Sequence, residues 1–163
     1  MQVILRDRIQ HDVLNSILGG EVDFGIIVEP DETHLRELHS EVLLTDPFVA
    51  VHPHTPGASP LRWKALAGAN LILLDQASGS RRLIDQLLSD LRIEHQVVQE
   101  VGHVTTGFEM VRAGLGVSIV PGLAMPETGQ FNERSWAYWH YRLGLATLEQ
   151  VPPMPVRKPA FKP

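Results

Sequence analysis

The chain of 163 residues has room for one domain or two small lobes, and 44% apolar with 20% charged residues is the make-up of a globular protein, not of a disordered or membrane-spanning one. Lys and Arg total 14 against 19 Asp and Glu, a formal net charge of -5 with no basic face, so direct contact of this segment with DNA is not expected. Cysteine is absent, which excludes disulfides and thiolate chemistry; no apolar run approaches the roughly 18 residues of a membrane helix, and charges interrupt MQVILRDRIQHD where a signal peptide would stay apolar.

Val3-Ile4-Leu5 opens the chain as a short strand candidate. Val13, Leu14, Ile17 and Leu18 then form the apolar stripe of an amphipathic helix, which Gly19-Gly20 closes. Val22 to Val28 reads as a buried strand, so the first thirty residues predict a strand–helix–strand unit with a parallel sheet. Asp23, at the entry of that strand, is expected to bond nearby backbone N–H groups. A polar stretch leads to a strand at Phe48–His52 and a loop, HTPGASP. Ser59 as N-cap, Pro60 at the first helical position and Gly68 as terminator then predict a short helix with Leu61, Trp63 and Leu66.

Leu71–Leu74 is the next strand, followed by the loop DQASGSR and a helix with Leu83, Ile84, Leu87, Leu88 and Leu91 on one stripe. Gln96–Val101 is a strand. Val104, Phe108, Val111 and Leu115 mark another helix, for which Thr106 and Glu109 have the spacing of a capping box. VSIVP is a further strand. About six strands alternating with four helices is the α/β pattern. Past Met125 this alternation stops; WAYWHYRLGLATL is a strand candidate, and the proline-rich end is expected to be disordered.

Two strand-to-helix loops carry residues of chemical interest. DQASGSR, Asp75 to Arg81, offers a glycine, two hydroxyls and the N–H groups of a helix start, a setting for a carboxylate or phosphate at the carboxyl end of a strand. Its serines serve equally well as helix caps. GHVTTG places His103 and Thr105 at a second helix start, with no capping role to explain them. Among the eight histidines, His52/His54 and His34/His39 have no completing ligands, so no metal is expected. No nucleophile elbow, phosphate-binding glycine loop or zinc-protease motif is present. The glycines of AGLGVSIV end a helix before a strand, the reverse of the dinucleotide-binding order.

Taken in order, VILRD, VLNSILGGEVDFGI, LLTDPFVAVHP, ALAGANLILLDQASGSRRLID and QEVGHVTTGFEMVRAGLGVSIVPGLAMP resemble the effector-binding (substrate-binding) domain of LysR-type transcriptional regulators, from about Val3 to Pro126. Each piece alone is unspecific; the ordered set is specific. The resemblance implies a two-lobed α/β fold like the type 2 periplasmic binding proteins, with mixed, mostly parallel sheets. Lobe one would be partial over 1–49, lobe two would cover 50–125, and 126–163 would be an atypical segment returning to lobe one before a disordered tail. The family's winged helix-turn-helix and linker helix are missing, as are the first strand and helix of lobe one, so the chain reads as truncated. Its usual return segment is also missing, with Leu143 to Leu148 as a substitute.

What the resemblance further implies is a small organic effector, often a carboxylate, in the cleft between lobes. Carried over residue by residue, Ser78, Gly79 and Ser80 face it from one loop and His103 and Thr105 from the other. From lobe one come Arg8 and Gln10, with Val28 as a wall residue. No catalytic residue and no cofactor are expected. The partners would be the effector and further copies of the chain, with DNA reached only through the absent helix-turn-helix and no membrane contact, in the cytoplasm. Two other readings stand beside this one: a transporter's solute-binding protein with the same two-lobed architecture, and a small α/β enzyme using Ser78 or Ser80.

Overall fold

The computed structural model of the protein describes residues 2–28, 37–52, 63–126 and 132–148, and it divides into two units, Met1–Thr45 with Arg142–Pro163 and Asp46–Tyr141. In the first unit the stripe of Val13, Leu14, Ile17 and Leu18 forms helix α1 (Gln10–Leu18), with Leu14 and Ile17 buried against Ile27, Leu38 and Ala146. The helix ends in a Schellman motif: Gly20 N–H donates to the Ile17 carbonyl and Glu21 N–H to that of Ser16, with Gly20 at φ +68°. Strand β1 (Gly25–Val28) lies under α1. A Cβ on Gly25 would stand 2.5 Å from Val13 Cγ1, so the helix can approach this closely only over a glycine.

β1 runs antiparallel to the end of β6 (Asn132–Leu148), with Gly25 opposite Ala146 and Val28 opposite Leu143. On its other side β6 neighbours β2 (Leu38–His52), where Gly144 packs on Ser40 and Glu41. WAYWHYRLGLATL is thus strand, as expected, and Leu143–Ala146 within it supply the partner of β1.

Four expectations at the N-terminus fail. Val3, Ile4 and Leu5 are 71%, 76% and 89% exposed and form no strand. A β-branched run becomes a strand only where another strand takes up its backbone groups, and the described neighbour of β1 is β6. The predicted opening strand–helix–strand unit is therefore not formed. β1 also starts at Gly25, not Val22; Asp23 sits exposed in the preceding bend and makes no hydrogen bond among the described residues, so its expected backbone link is absent.

The second unit is built around β3 (Asn70–Leu74), whose Leu71–Leu74 are all buried, as a central strand covered on both faces requires. It pairs in parallel with β4 (Gln96–Val101) on one side and β5 (Val117–Pro121) on the other; β5 in turn pairs antiparallel with Phe48–Val51 of β2. Helix α2 (Gly79–Asp90) links β3 to β4 and buries Leu83, Ile84, Leu87 and Leu88. Helix α3 (Val104–Arg112) links β4 to β5, its Phe108 and Val111 packing with Val49, Val51, Ile72, Leu74, Val101 and Val120.

β2 begins ten residues before the predicted Phe48, in a stretch too polar to show a buried period. Helix α3 starts at Val104 with His103 in the N-cap position, and Thr106 N–H donates to the His103 carbonyl, so Thr106 lies inside the first turn and the predicted capping box does not form. Trp63–Leu66 is a single 3-10 turn followed by Gly68 at φ +76°. The predicted cap at Ser59 with Pro60 and Leu61, the HTPGASP loop, residues 29–36 of the polar stretch after Val28, with His34 among them, and the proline-rich end all lie outside the described residues.

Candidate functional site

In the second unit the two candidate loops leave adjacent, parallel strands at the same edge. β3 and β4 end paired, Leu74 beside Val101, and Asp75 N–H donates to the Val101 carbonyl at 2.9 Å, so residues 75–80 and 102–105 emerge side by side. Each loop runs straight into a helix, and a helix leaves its first N–H groups without carbonyl partners inside it. Those of Gly79 and Ser80 on α2, and of Val104 and Thr105 on α3, therefore open at this edge with the positive ends of both helix dipoles.

The hydroxyls of the first loop are not used as caps. Ser78 occupies the N-cap position of α2, but its side chain makes no capping bond; its Oγ instead lies 2.9 Å from Ser80 Oγ. Ser78 is half-buried and Ser80 buried, so the pair is held at the helix start with lone pairs and a hydroxyl hydrogen to offer. His103, likewise at an N-cap without a capping bond, and Thr105 are exposed on the neighbouring loop. Among the described residues the hydrogen bond of each serine side chain is the one to the other serine.

Arg81, which residue patterns alone do not single out, underpins the loop. Its side chain is 6% exposed. Nη1 donates to the Leu74 carbonyl at 2.6 Å and to Glu100 Oε1 at 2.8 Å, while Nε donates to Asp85 at 2.9 Å. One guanidinium thus ties the end of β3, the first turns of α2 and the end of β4. Burial works against its charge, but the hydrogen bonds and charges of Asp85 and Glu100 outweigh it and hold the pKa above its ordinary value. The spacing of Arg81 to Asp85 is visible in the sequence, yet such a pair is usually a solvated helix face.

The first-unit candidates form a separate group. Gln10, the first residue of α1, accepts the Val28 N–H on its Oε1 at 2.9 Å, so two predicted residues meet directly. The bond ties the start of α1 to the end of β1. Arg8 turns elsewhere: its Nη1 donates to Ser16 Oγ at 2.9 Å and lies 3.6 Å from Glu21, folding along α1.

Comparison with known proteins adds four similarities. The family model described as the LysR substrate binding domain matches residues 1–155. The uncharacterized HTH-type transcriptional regulator YfeR of Shigella flexneri is 44% identical over 135 residues, 77% of this chain and 41% of that protein, so the chain spans about two-fifths of this curated relative. Among solved structures, the C-terminal domain of a probable LysR family transcriptional regulator from Rhodococcus sp. RHA1 superposes with a TM-score of 0.77 at 20% identity, over 92% of this chain and 77% of that one. The effector binding domain of QuiR in complex with shikimate gives 0.74 at 18% identity, over 88% and 70%.

Proposed function

The chain belongs to the family of LysR substrate-binding domains, and from that premise we propose that it senses a small carboxylate-bearing organic effector for a transcriptional regulator. The observation that carries this reading is the pair of adjacent loops in the second unit. Two uncapped helix N-termini and a serine pair at one sheet edge provide the donors that a carboxylate accepts. The serine pair would donate the one hydroxyl hydrogen that the Ser78–Ser80 bond leaves free, Gly79 its backbone N–H, and His103 and Thr105 would donate from the second loop.

On the strength of the resemblance, Arg8, Gln10 and Val28 of the first unit are proposed as effector-binding residues as well. Since the Gln10 oxygen is taken by Val28 N–H, its contribution would be the Nε2 donor. No catalysis is proposed. In the whole regulator, DNA would be held by a helix-turn-helix outside this chain, in a homo-oligomer in the cytoplasm, and the effector would act by preferring one arrangement over another. The relatives' HTH-type names support this reading over the transporter alternative.

The test is thermal unfolding with a panel of small organic acids that includes shikimate. A ligand that binds only the folded chain raises the melting temperature by mass action. We expect a concentration-dependent rise for at least one acid, abolished in the Ser78→Ala/Ser80→Ala double variant. An unmoved melting temperature across the panel would reject the reading; a rise that survives in the double variant would move the site elsewhere.

A further inference from the structure

We propose that Asp75 sets the ligand class: the site takes a monocarboxylate that also carries a hydroxyl or ammonium donor. This rests on the reading of residues 75–80 and 102–105 as an anion site. Asp75 is the first residue of the first loop, and its backbone is fixed by the bond from its N–H to the Val101 carbonyl. Its carboxylate is split in use. Oδ1 accepts Ala77 N–H at 3.0 Å, an Asx turn that shapes the loop.

Oδ2 has no donor among the described residues and lies 3.5 Å from where a Cβ on Gly102 would stand. The oxygen therefore sits at the seam between the two loops, opposite Gly102, on a residue that is half-buried. Arg81, the buried cation of this loop, does not neutralise it, because its hydrogen bonds run to Asp85, Glu100 and the Leu74 carbonyl.

An acceptor oxygen thus stands beside two helix starts that attract anions. A bare carboxylate satisfies the N–H groups but faces the Asp75 charge, and a dicarboxylate faces it twice. A carboxylate with a neighbouring hydroxyl or ammonium satisfies both, the anion on the helix starts and the donor on Oδ2. Selection then comes from repulsion of the wrong class as much as from attraction of the right one.

Matched probes test this on the chain as it stands: lactate and alanine against propionate, shikimate against benzoate, and succinate. Affinities come from the ligand dependence of the melting temperature in the wild type and in Asp75→Asn. Asn keeps an acceptor oxygen for Ala77 N–H, so the turn survives while the free oxygen becomes a donor. In the wild type, at least one donor-bearing acid is expected to bind about tenfold or more tightly than its bare counterpart, the scale of one charge-assisted hydrogen bond. Succinate is expected to bind no better than propionate, and in Asp75→Asn the preference is expected to collapse to below about threefold.

Bare acids binding as tightly as their partners in the wild type would overturn the assignment by themselves, whatever the variant's folding. So would a full preference retained in Asp75→Asn. If neither kind of acid shifts the wild type, the effector-site reading falls and the assignment with it; if bare acids bind equally well, only the assignment falls.

Discussion

The guanidinium of Arg81 is buried yet charged because two carboxylates and one carbonyl converge on it from three elements. Its partners differ in what they would lose. Asp85 and Glu100 are 40% and 50% exposed and can return to water, whereas the Leu74 carbonyl belongs to a residue only 7% exposed and would be left without this donor. Arg81→Ala is therefore expected to destabilise by about 1–3 kcal/mol, less than breaking a fully buried ion pair. The sign of any pH dependence follows from the raised pKa: the stabilisation is present below the unfolded-state value and is lost only as pH climbs through the higher folded one. Urea unfolding of both proteins should thus give nearly the same difference at any value between about pH 6 and 9. A difference that vanished within that interval would mean the stabilisation comes from another titrating group.

The three helices end alike, in Schellman motifs with the residue after the C-cap in the left-handed region, and the sequence treats the three ends differently. Gly20 after α1 and Gly114 after α3 have φ of +68° and +75°, which glycine adopts without a Cβ penalty. After α2 the same position is Arg92, at φ 51°, with its N–H on the Ser89 carbonyl and Ile93 N–H on that of Leu88. The motif is complete, so the left-handed conformation is imposed by those bonds and by the burial of Ile93, against the preference of an L side chain. Arg92→Gly should relieve this and raise stability by about 0.5–1 kcal/mol, offset in part by the extra freedom of glycine in the unfolded chain. The midpoint of urea unfolding measures it; an unchanged or lowered midpoint would show that the side chain of Arg92 contributes more than its backbone costs. The two glycine ends could be read from the sequence and this one could not, because nothing in LRIEH marks a stop: the end is dictated by where Ile93 must turn in.

Across the whole chain, what was legible was what is local. NLILL, QVVQEV and VSIVP became β3, β4 and β5 with their predicted limits or one residue more, because a short β-rich apolar run followed by a turn is specified by its own residues. The loops carrying Ser78 and His103 were legible for the same reason. What depends on a distant partner was not: Val3–Leu5 has strand composition but no strand beside it among the described residues, Gln10 meets Val28 across 18 residues, and Arg81 is defined by Glu100. The same contrast separates the two units. Around β3 the second unit has strands on both sides and helices whose Leu83, Ile84, Leu87, Leu88 and Val111 are buried, so opening a β3 amide exposes a continuous core. The first unit rests, among the described residues, on Leu14, Ile17, Ile27, Leu38 and Ala146 under a single helix. Among the described strands its four-residue β1 has one neighbour, and Ile26 is 59% exposed. Buried apolar area sets the cost of opening, at about 25 cal/mol per Å², so the units should open at different free energies. Native-state hydrogen exchange should find the amides of Ile72, Leu73 and Ile119 protected by at least about 2 kcal/mol more than those of Leu18 and Ile27. Uniform protection across both sets would mean that the chain opens only as a whole, with the first unit as stable as the second.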